Sequence, residues 1–257
     1  MKKKRPKGKV VLFLVEGLSE IKVLKPIISE IYDRIDQEIE VHFPTIIEDG
    51  RTLGGDITSR YGVHPHNIEN EIYKQFLKTF FDREKLFPKD IIEIIHILDT
   101  DGVYIQDEYV KLKEADAASE KIFYGENEML TMNVESTIKR NQRKRENLDH
   151  LAALTSIKIK SKTIPYSIFY FSCNLDHVLY DNANMDMRSK VEIADIYIEQ
   201  LGNDPLKFIE TLKKTSCAVT GMDYAHSWEF IRQENHSLHR HTNLNMLFDR
   251  LCQDEIH

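Results

Sequence analysis

Apolar residues along this chain come in two rhythms. Val10-Val11-Leu12-Phe13-Leu14-Val15 and Ile91-Ile92-Glu93-Ile94-Ile95-His96-Ile97-Leu98 are nearly continuous apolar runs. Runs of that length, rich in β-branched residues and bounded by turn residues, predict strands of a parallel sheet buried on both faces. Two further runs, Ile39 to Ile46 and Thr163 to Phe171, predict a second and a fourth strand. Other segments follow the helical period. Leu24, Ile27, Ile28, Ile31 and Ile35 share one face, and Pro26 within that stretch predicts a kink or a late helix start. Ile68, Ile72, Phe76 and Phe80 are in register for a second helix, 134–154 reads as a basic helix, and 174–180, 188–201 and 204–214 read as helices. The remainder to His257 is helical in pattern with less regular spacing, whereas the stretch after Asp101 is polar and poorly patterned to about Asn133. Alternating strands and helices predict an α/β fold. Its core is a mainly parallel central sheet flanked by helices over 1–175, followed by a helical C-terminal region over 176–257.

The first and third apolar runs end in acids. Glu16-Gly17-Leu18-Ser19-Glu20 follows the first, and Asp99-Thr100-Asp101-Gly102 follows the third. Parallel strands bring such termini to the C-terminal edge of one sheet, where open α/β folds place their ligands. Two ionised carboxylates about 4.5 Å apart repel by roughly 4 kcal/mol at an effective dielectric near 20. Glu16, Asp99 and Asp101 at one rim therefore call for protonation or for a divalent cation, and oxygen-only ligation suits Mg²⁺ or Mn²⁺. The alternative is that strand-end acids merely cap turns, since Asp-Gly is a common turn pair. Glu20, one helical turn beyond Glu16, either completes the site or is a first-turn acid favoured by the helix dipole. Asp176 follows the fourth strand and is either a further metal ligand or a cap on the helix after Asn174.

Glu16-Gly17 and Asp99-x-Asp101-Gly102 together resemble the TOPRIM domain, in which a strand ends in Glu-Gly and a later strand ends in Asp-x-Asp. The wider turn Val15 to Glu20, with Pro26 beyond it, is similar to that of OLD-type TOPRIM nucleases, many of which belong to bacterial anti-phage systems. The resemblance covers about residues 9 to 175. It implies a TOPRIM-like fold and a metal-dependent cleavage of phosphodiester bonds in DNA or RNA. By the same resemblance Glu16, Glu20, Asp99 and Asp101 are catalytic, and Lys158, Lys160 and Lys162 are candidates for the late lysine that some relatives use. The sequence contains no Gly-x-x-x-x-Gly-Lys-Ser/Thr loop, so the ABC-type ATPase partner of full OLD proteins is absent or encoded separately. The continuation Val103-Tyr104-Ile105-Gln106 departs from the topoisomerase and primase pattern.

Composition alters this picture little. The 257 residues carry a formal net charge of −7, so binding of nucleic acid must rest on local clusters of cations. The densest is Lys139-Arg140-Asn141-Gln142-Arg143-Lys144-Arg145, in which Lys139, Arg140, Arg143, Lys144 and Arg145 are expected to grip phosphates or else to form a solvated helix face. Lys2 to Lys9 reads as a solubilising tail. Cys173, Cys217 and Cys252 are scattered, which fits a reducing, cytoplasmic setting and argues against structural zinc. No run is long enough to cross a membrane, and the basic start shows no leader-peptide pattern. His64-Pro65-His66 and His236-x-x-His239-Arg240-His241 lack the Cys or acids of a zinc site and read as surface histidines, while His96 reads as a core residue or one supporting the site. Trp228, Tyr224, Phe230 and Phe248 read as the core of the C-terminal region. Self-association is left open by the sequence.

Overall fold

The computed structural model describes residues 9–48, 51–53, 56–114, 122–202, 204–214 and 219–254. Five strands form the central sheet: β1 (Val10–Leu14), β2 (Glu40–His42), β5 (Ile91–Asp99), β9 (Ser156–Ile159) and β10 (Lys162–Phe171), in the spatial order β2-β1-β5-β10-β9. The first four in that order run parallel, and β9 closes the edge antiparallel. Two small sheets lie outside it. One pairs β3 (Ile46–Glu48) with β4 (Arg51–Leu53), and the other joins β6 (Val110–Leu112), β7 (Phe123–Tyr124) and β8 (Met129–Thr131). The helices are α1 (Leu18–Ile35), α2 (Ile68–Ile72), α3 (Lys78–Glu84), α4 (Val134–Ala152), α5 (Leu175–Tyr180), α6 (Met187–Leu201), α7 (Pro205–Lys214), α8 (Tyr224–Arg232) and α9 (Leu244–Asp254). A π-helical turn, Tyr73–Leu77, joins α2 to α3.

The two-sided apolar strands have a direct structural consequence. Val10, Leu12 and Leu14 face one core with Ile164, Tyr166, Ile168 and Tyr170, against α2, α3, α4 and α8. Val11, Phe13 and Val15 face the other with Ile95, Ile97 and Phe171, against α1, α6, α7 and α9. Period-two alternation thus feeds both faces of one sheet, as its burial between helix layers requires. The C-terminal helices complete this sandwich, and the expected separate aromatic core does not form. Trp228 packs edge-on to Tyr170 with ring centroids 5.0 Å apart, while Phe248 lies on the opposite face of the sheet.

Several local expectations are corrected. The helix α1 runs through Pro26 without a late start. The second strand stops at His42, because Pro44 supplies no ladder donor, and Ile46 belongs to a separate hairpin. The unpatterned stretch after Asp101 holds the three-stranded sheet β6–β8. The basic run Lys2 to Lys9 lies, except for Lys9, outside the described residues.

Past Pro165, where β9 ends, the edge of β10 is covered by side chains and irregular backbone. Tyr166 N donates to Thr155 O (3.0 Å), the Tyr224 hydroxyl donates to Ile168 O (2.8 Å), and Tyr170 N donates to Asn243 Oδ1 (2.9 Å). Thr242 Oγ1 donates to Tyr170 O at 2.6 Å, and Ser172 N donates to His241 O at 2.9 Å. Each satisfies a ladder group that an exposed edge would offer to another chain.

His96 lies inside β5, fully enclosed, with Nδ1 2.9 Å from the Tyr166 hydroxyl. Burial lowers its imidazole to about 4. A histidine depressed from its unfolded value of about 6.5 contributes stability above that pH and loses it as pH falls toward 4, here about 3 kcal/mol. Urea unfolding of His96→Phe across this window should therefore show a flatter dependence of stability on pH than the wild type. Equal slopes would show that His96 titrates normally.

Candidate functional site

The C-terminal ends of β1, β5 and β10 converge as the sequence predicts. Glu16 leaves β1, Asp99 ends β5, and Asp101 follows it by two residues. The backbone N–H of Asp99 donates to Glu16 Oε1 (3.1 Å), so the first and second acidic turns are bonded directly. The turns after β5 and β10 are zipped in the same way. Thr100 N donates to Phe171 O (2.9 Å), Asp101 N to Cys173 O (2.8 Å), and Cys173 N to Thr100 Oγ1 (3.1 Å). Asp99 Oδ1 accepts the N–H of Leu175 at 3.1 Å, at the start of α5.

Two of these turns are strained. Asp101 and Cys173 both sit at φ +50° and Gly102 at φ +64°. A non-glycine residue held in the left-handed region costs on the order of 1 kcal/mol. Gly102 is also required by packing, because a Cβ there would lie 2.5 Å from Leu238 Cδ2. The other glycine, Gly17, has ordinary extended backbone at φ −146°. Its role is close approach, since a Cβ at position 17 would stand 2.5 Å from Glu20 Oε2 and displace that carboxylate.

The unexpected feature lies at the centre. Lys144 of α4 has 0 % of its surface exposed, and its ammonium faces three carboxylates. Nζ is 2.7 Å from Asp101 Oδ2, 2.8 Å from Asp56 Oδ2 and 3.3 Å from Glu16 Oε1. Asp56 comes from the Gly-rich loop before α2 and accepts the N–H of Thr58 at 2.7 Å. Arg140, one turn back along α4, places NH1 3.8 Å from Asp101 Oδ2, and the Tyr124 hydroxyl donates to Asp101 Oδ1 at 3.2 Å. A second charge cluster lies beyond Asp99. Asp176, buried in the first turn of α5, pairs with Lys190 of α6, and Glu20 lies within electrostatic range of both.

The balance of charge is uneven. Among the described residues, six carboxylates (Glu16, Glu20, Asp56, Asp99, Asp101, Asp176) face three cations (Lys144, Arg140, Lys190). Burial and the neighbouring Asp56 push the Glu16 carboxyl well above its ordinary range, against Lys144. Burial, then Glu16, Glu20 and Asp101, do the same to Asp99. Burial also raises Glu20. Burial would raise Asp56 as well, but Lys144 and the hydroxyls of Thr58 and Ser59 outweigh it and bring the carboxyl down to about 2. Burial opposes the charge on Lys144, yet Asp101, Asp56 and Glu16 keep its ammonium protonated well beyond the usual range.

An all-oxygen donor set with surplus negative charge matches the chemistry of a hard divalent cation, with Glu16, Asp99 and Asp101 as the residues that would hold it. No group of three or more His, Cys, Asp or Glu among the described residues is already arranged around a metal position. Lys144 takes up carboxylate oxygens of Glu16 and Asp101, and Asp176 is engaged by Lys190 rather than by the rim.

The basic stretch of α4 does not form the continuous phosphate-gripping face that its composition suggests. Lys139 points to solvent and pairs with Glu135, whereas Lys144 is buried. Arg143 Nε donates to Ser59 O (2.8 Å), and Arg145 donates to Val103 O (3.1 Å) and Ile105 O (3.4 Å), so both fasten loops to the helix. Helical periodicity explains the split. Thr137, Asn141, Lys144, Leu148 and Leu151 form the buried stripe of α4, and Lys144 sits where that pattern calls for a core residue. Lys158, Lys160 and Lys162 belong to β9 and its turn into β10. They lie at the end of β10 opposite to the acids, so the lysine at the rim is Lys144.

No protein-family model, curated protein or solved structure matches the chain. No helix among the described residues is long and apolar enough to cross a membrane.

Replacing Lys144 by Met leaves three carboxylates facing one another without their cation. Breaking such a buried cluster should cost about 3–5 kcal/mol at neutral pH by chemical denaturation. Carboxyl groups raised in the folded state favour it at low pH and lose that contribution as pH rises, so the deficit should shrink on going from pH 7 to 5. A Lys144→Met protein as stable as the wild type would show that the ammonium does not hold the rim together.

Proposed function

We propose that this chain is a nuclease dependent on Mg²⁺ or Mn²⁺ that hydrolyses phosphodiester bonds at the rim formed by Glu16, Asp99 and Asp101. The observation that carries this reading is the meeting of these acids at the C-terminal edge of a parallel sheet. Glu16 comes from the end of β1, and Asp99 and Asp101 come from the end of β5, in the order the TOPRIM resemblance implies. A role as an effector of bacterial anti-phage defence rests on that resemblance alone, as does a separately encoded ATPase partner.

When bound, the cation supplies Lewis-acid polarisation of a phosphoryl oxygen. The chain's own residues do the rest. Glu16 either helps hold the cation or serves as general base for the attacking water, and burial with Asp56, which raise its carboxyl, suit it to the second role. Asp99 is fixed by the Leu175 N–H, and Asp101 is fixed from three sides by Lys144, Arg140 and Tyr124. Lys144 is a positioning residue, holding Glu16 and Asp101 at their spacing. Arg140, partly exposed beside Asp101, is placed to meet phosphate oxygens.

A second reading is favoured by one specific observation. With its ammonium shared by Glu16 and Asp101, Lys144 competes with any cation for the same oxygens. On this reading the chain is a resting subunit that a partner activates, or a module that binds nucleic acid without cutting it.

Plasmid, single-stranded DNA and total tRNA incubated with Mg²⁺, Mn²⁺ or chelator should show metal-dependent cleavage of at least one substrate. In an Asp99→Asn/Asp101→Asn protein the rate should fall by about two orders of magnitude or more. Calorimetry should show that the same variant loses metal binding. Absence of Mg²⁺ and Mn²⁺ binding to the wild type would rule out the nuclease, and cleavage appearing only with an added ATPase partner would select the gated subunit.

A further inference from the structure

The turn that follows Asp56 is built rigidly and yet turns its largest side chain outward. Ile57, Thr58 and Val63 are buried, whereas Tyr61 at the tip is 95 % exposed. The backbone on either side of the tip is tied to the scaffold. Asn147 Nδ2 donates to Thr58 O (2.8 Å) and to Val63 O (3.2 Å), and Arg143 Nε donates to Ser59 O. Gly62, at φ +80°, offers its carbonyl to Asn67 Nδ2 (2.9 Å), and His64 N donates to Asn67 Oδ1 (2.9 Å). Two more rings stand on the same segment. His64 and His66 are both exposed, with their ring centroids 6.0 Å apart.

The location of this turn gives the rings a use. Asn147 lies three residues beyond Lys144 on α4, so its two carbonyl partners place residues 58–63 about one helical turn from the buried ammonium. The segment that carries the rings starts from Asp56, itself part of the rim, so its backbone forms a lip beside the acids. A large aromatic face held on a secured backbone sacrifices little freedom on binding, which is what a stacking contact needs.

We infer that this lip stacks unpaired nucleobases, with Tyr61 as the principal platform and His64 and His66 beside it, so that the nucleic acid taken at the rim is single-stranded there. The inference rests on the reading of the rim as a nucleic-acid site, and it goes further by naming the strand form. Every base has a π-face, so stacking on Tyr61 is tolerant of sequence. Bases within a duplex already stack on one another and are not available to a side chain at a lip.

The test is a binding measurement in chelator, where no metal-dependent cutting takes place. Fluorescence anisotropy with a labelled oligothymidylate, an oligouridylate and a duplex of equal length would be read for the wild type, Tyr61→Ala, Tyr61→Trp and His64→Ala/His66→Ala. The single strands should bind more tightly than the duplex. Tyr61→Ala should weaken single-strand binding about tenfold or more, Tyr61→Trp should restore it with quenching of the new indole, and the double histidine variant should lose less. Thermal melting of Tyr61→Ala should match the wild type, since the ring is exposed. Equal binding by Tyr61→Ala, or a duplex bound as tightly as the single strand, overturns the inference. Failure to bind any oligonucleotide also overturns it and leaves the lip to a protein partner. Ring-dependent binding without cleavage in any metal would uphold the lip and reject the nuclease. Cleavage with ring-independent binding would do the reverse.

Discussion

The buried ammonium of Lys144 is the contact on which the site depends. It gathers acids from three segments far apart in sequence: the β1–α1 turn through Glu16, the Gly-rich loop through Asp56 and the turn after β5 through Asp101. As ions these carboxylates could not be brought so deep without a cation, because desolvating an ion costs several kcal/mol that only close, well-bonded partners return. The lysine therefore selects one arrangement of three loops. The same stripe of α4 delivers this charged side chain to the rim and sends Leu148 and Leu151 into the apolar core.

A second constraint comes from the segment between α8 and α9. Ser237 accepts the Thr100 hydroxyl on its carbonyl (3.4 Å), and its own hydroxyl accepts the Tyr104 N–H (3.2 Å). Its carbonyl also accepts the N–H of Cys173 (3.1 Å). One residue thus straps both strained turns, and Leu238 beside it fills the space that a side chain at Gly102 would need. The left-handed conformations of Asp101 and Cys173 are sustained from outside, by chain that the sequence assigns to a separate helical region. The C-terminal residues are part of the framework of the rim as well as one face of the sandwich.

How much of this was legible depends on how each feature is encoded. The parallel strands β1, β5 and β10 were readable because burial on both faces writes itself as uninterrupted apolar runs, and their acidic ends followed from position alone. The hairpin β3–β4 and the sheet β6–β8 were not, because strands of two or three residues carry too few positions for a period to emerge. Asp56 carries no signal in the sequence, because its role comes from contact with Lys144, 88 residues away. Lys144 was grouped with its basic neighbours by composition. Phase along the helix separates it from them, since it falls on the stripe of Asn141, Leu148 and Leu151 rather than beside Lys139.

The surplus of negative charge remains after every visible pairing. The charge on Asp56 is compensated, its carboxyl held down to about 2 by Lys144 and hydroxyl donors. Glu16 and Asp99 are not, and burial together with neighbouring acids pushes both well up. Two carboxyls in that condition must find either protons or another cation. On the proposed reading protons and a divalent ion compete for the same oxygens, so occupancy by a metal should strengthen as pH rises and the carboxyls ionise. Lys144 sets the terms of that competition. Paired with Asp56, Asp101 and Glu16, it offsets part of the rim's charge and leaves Asp99 and Glu16 under-compensated.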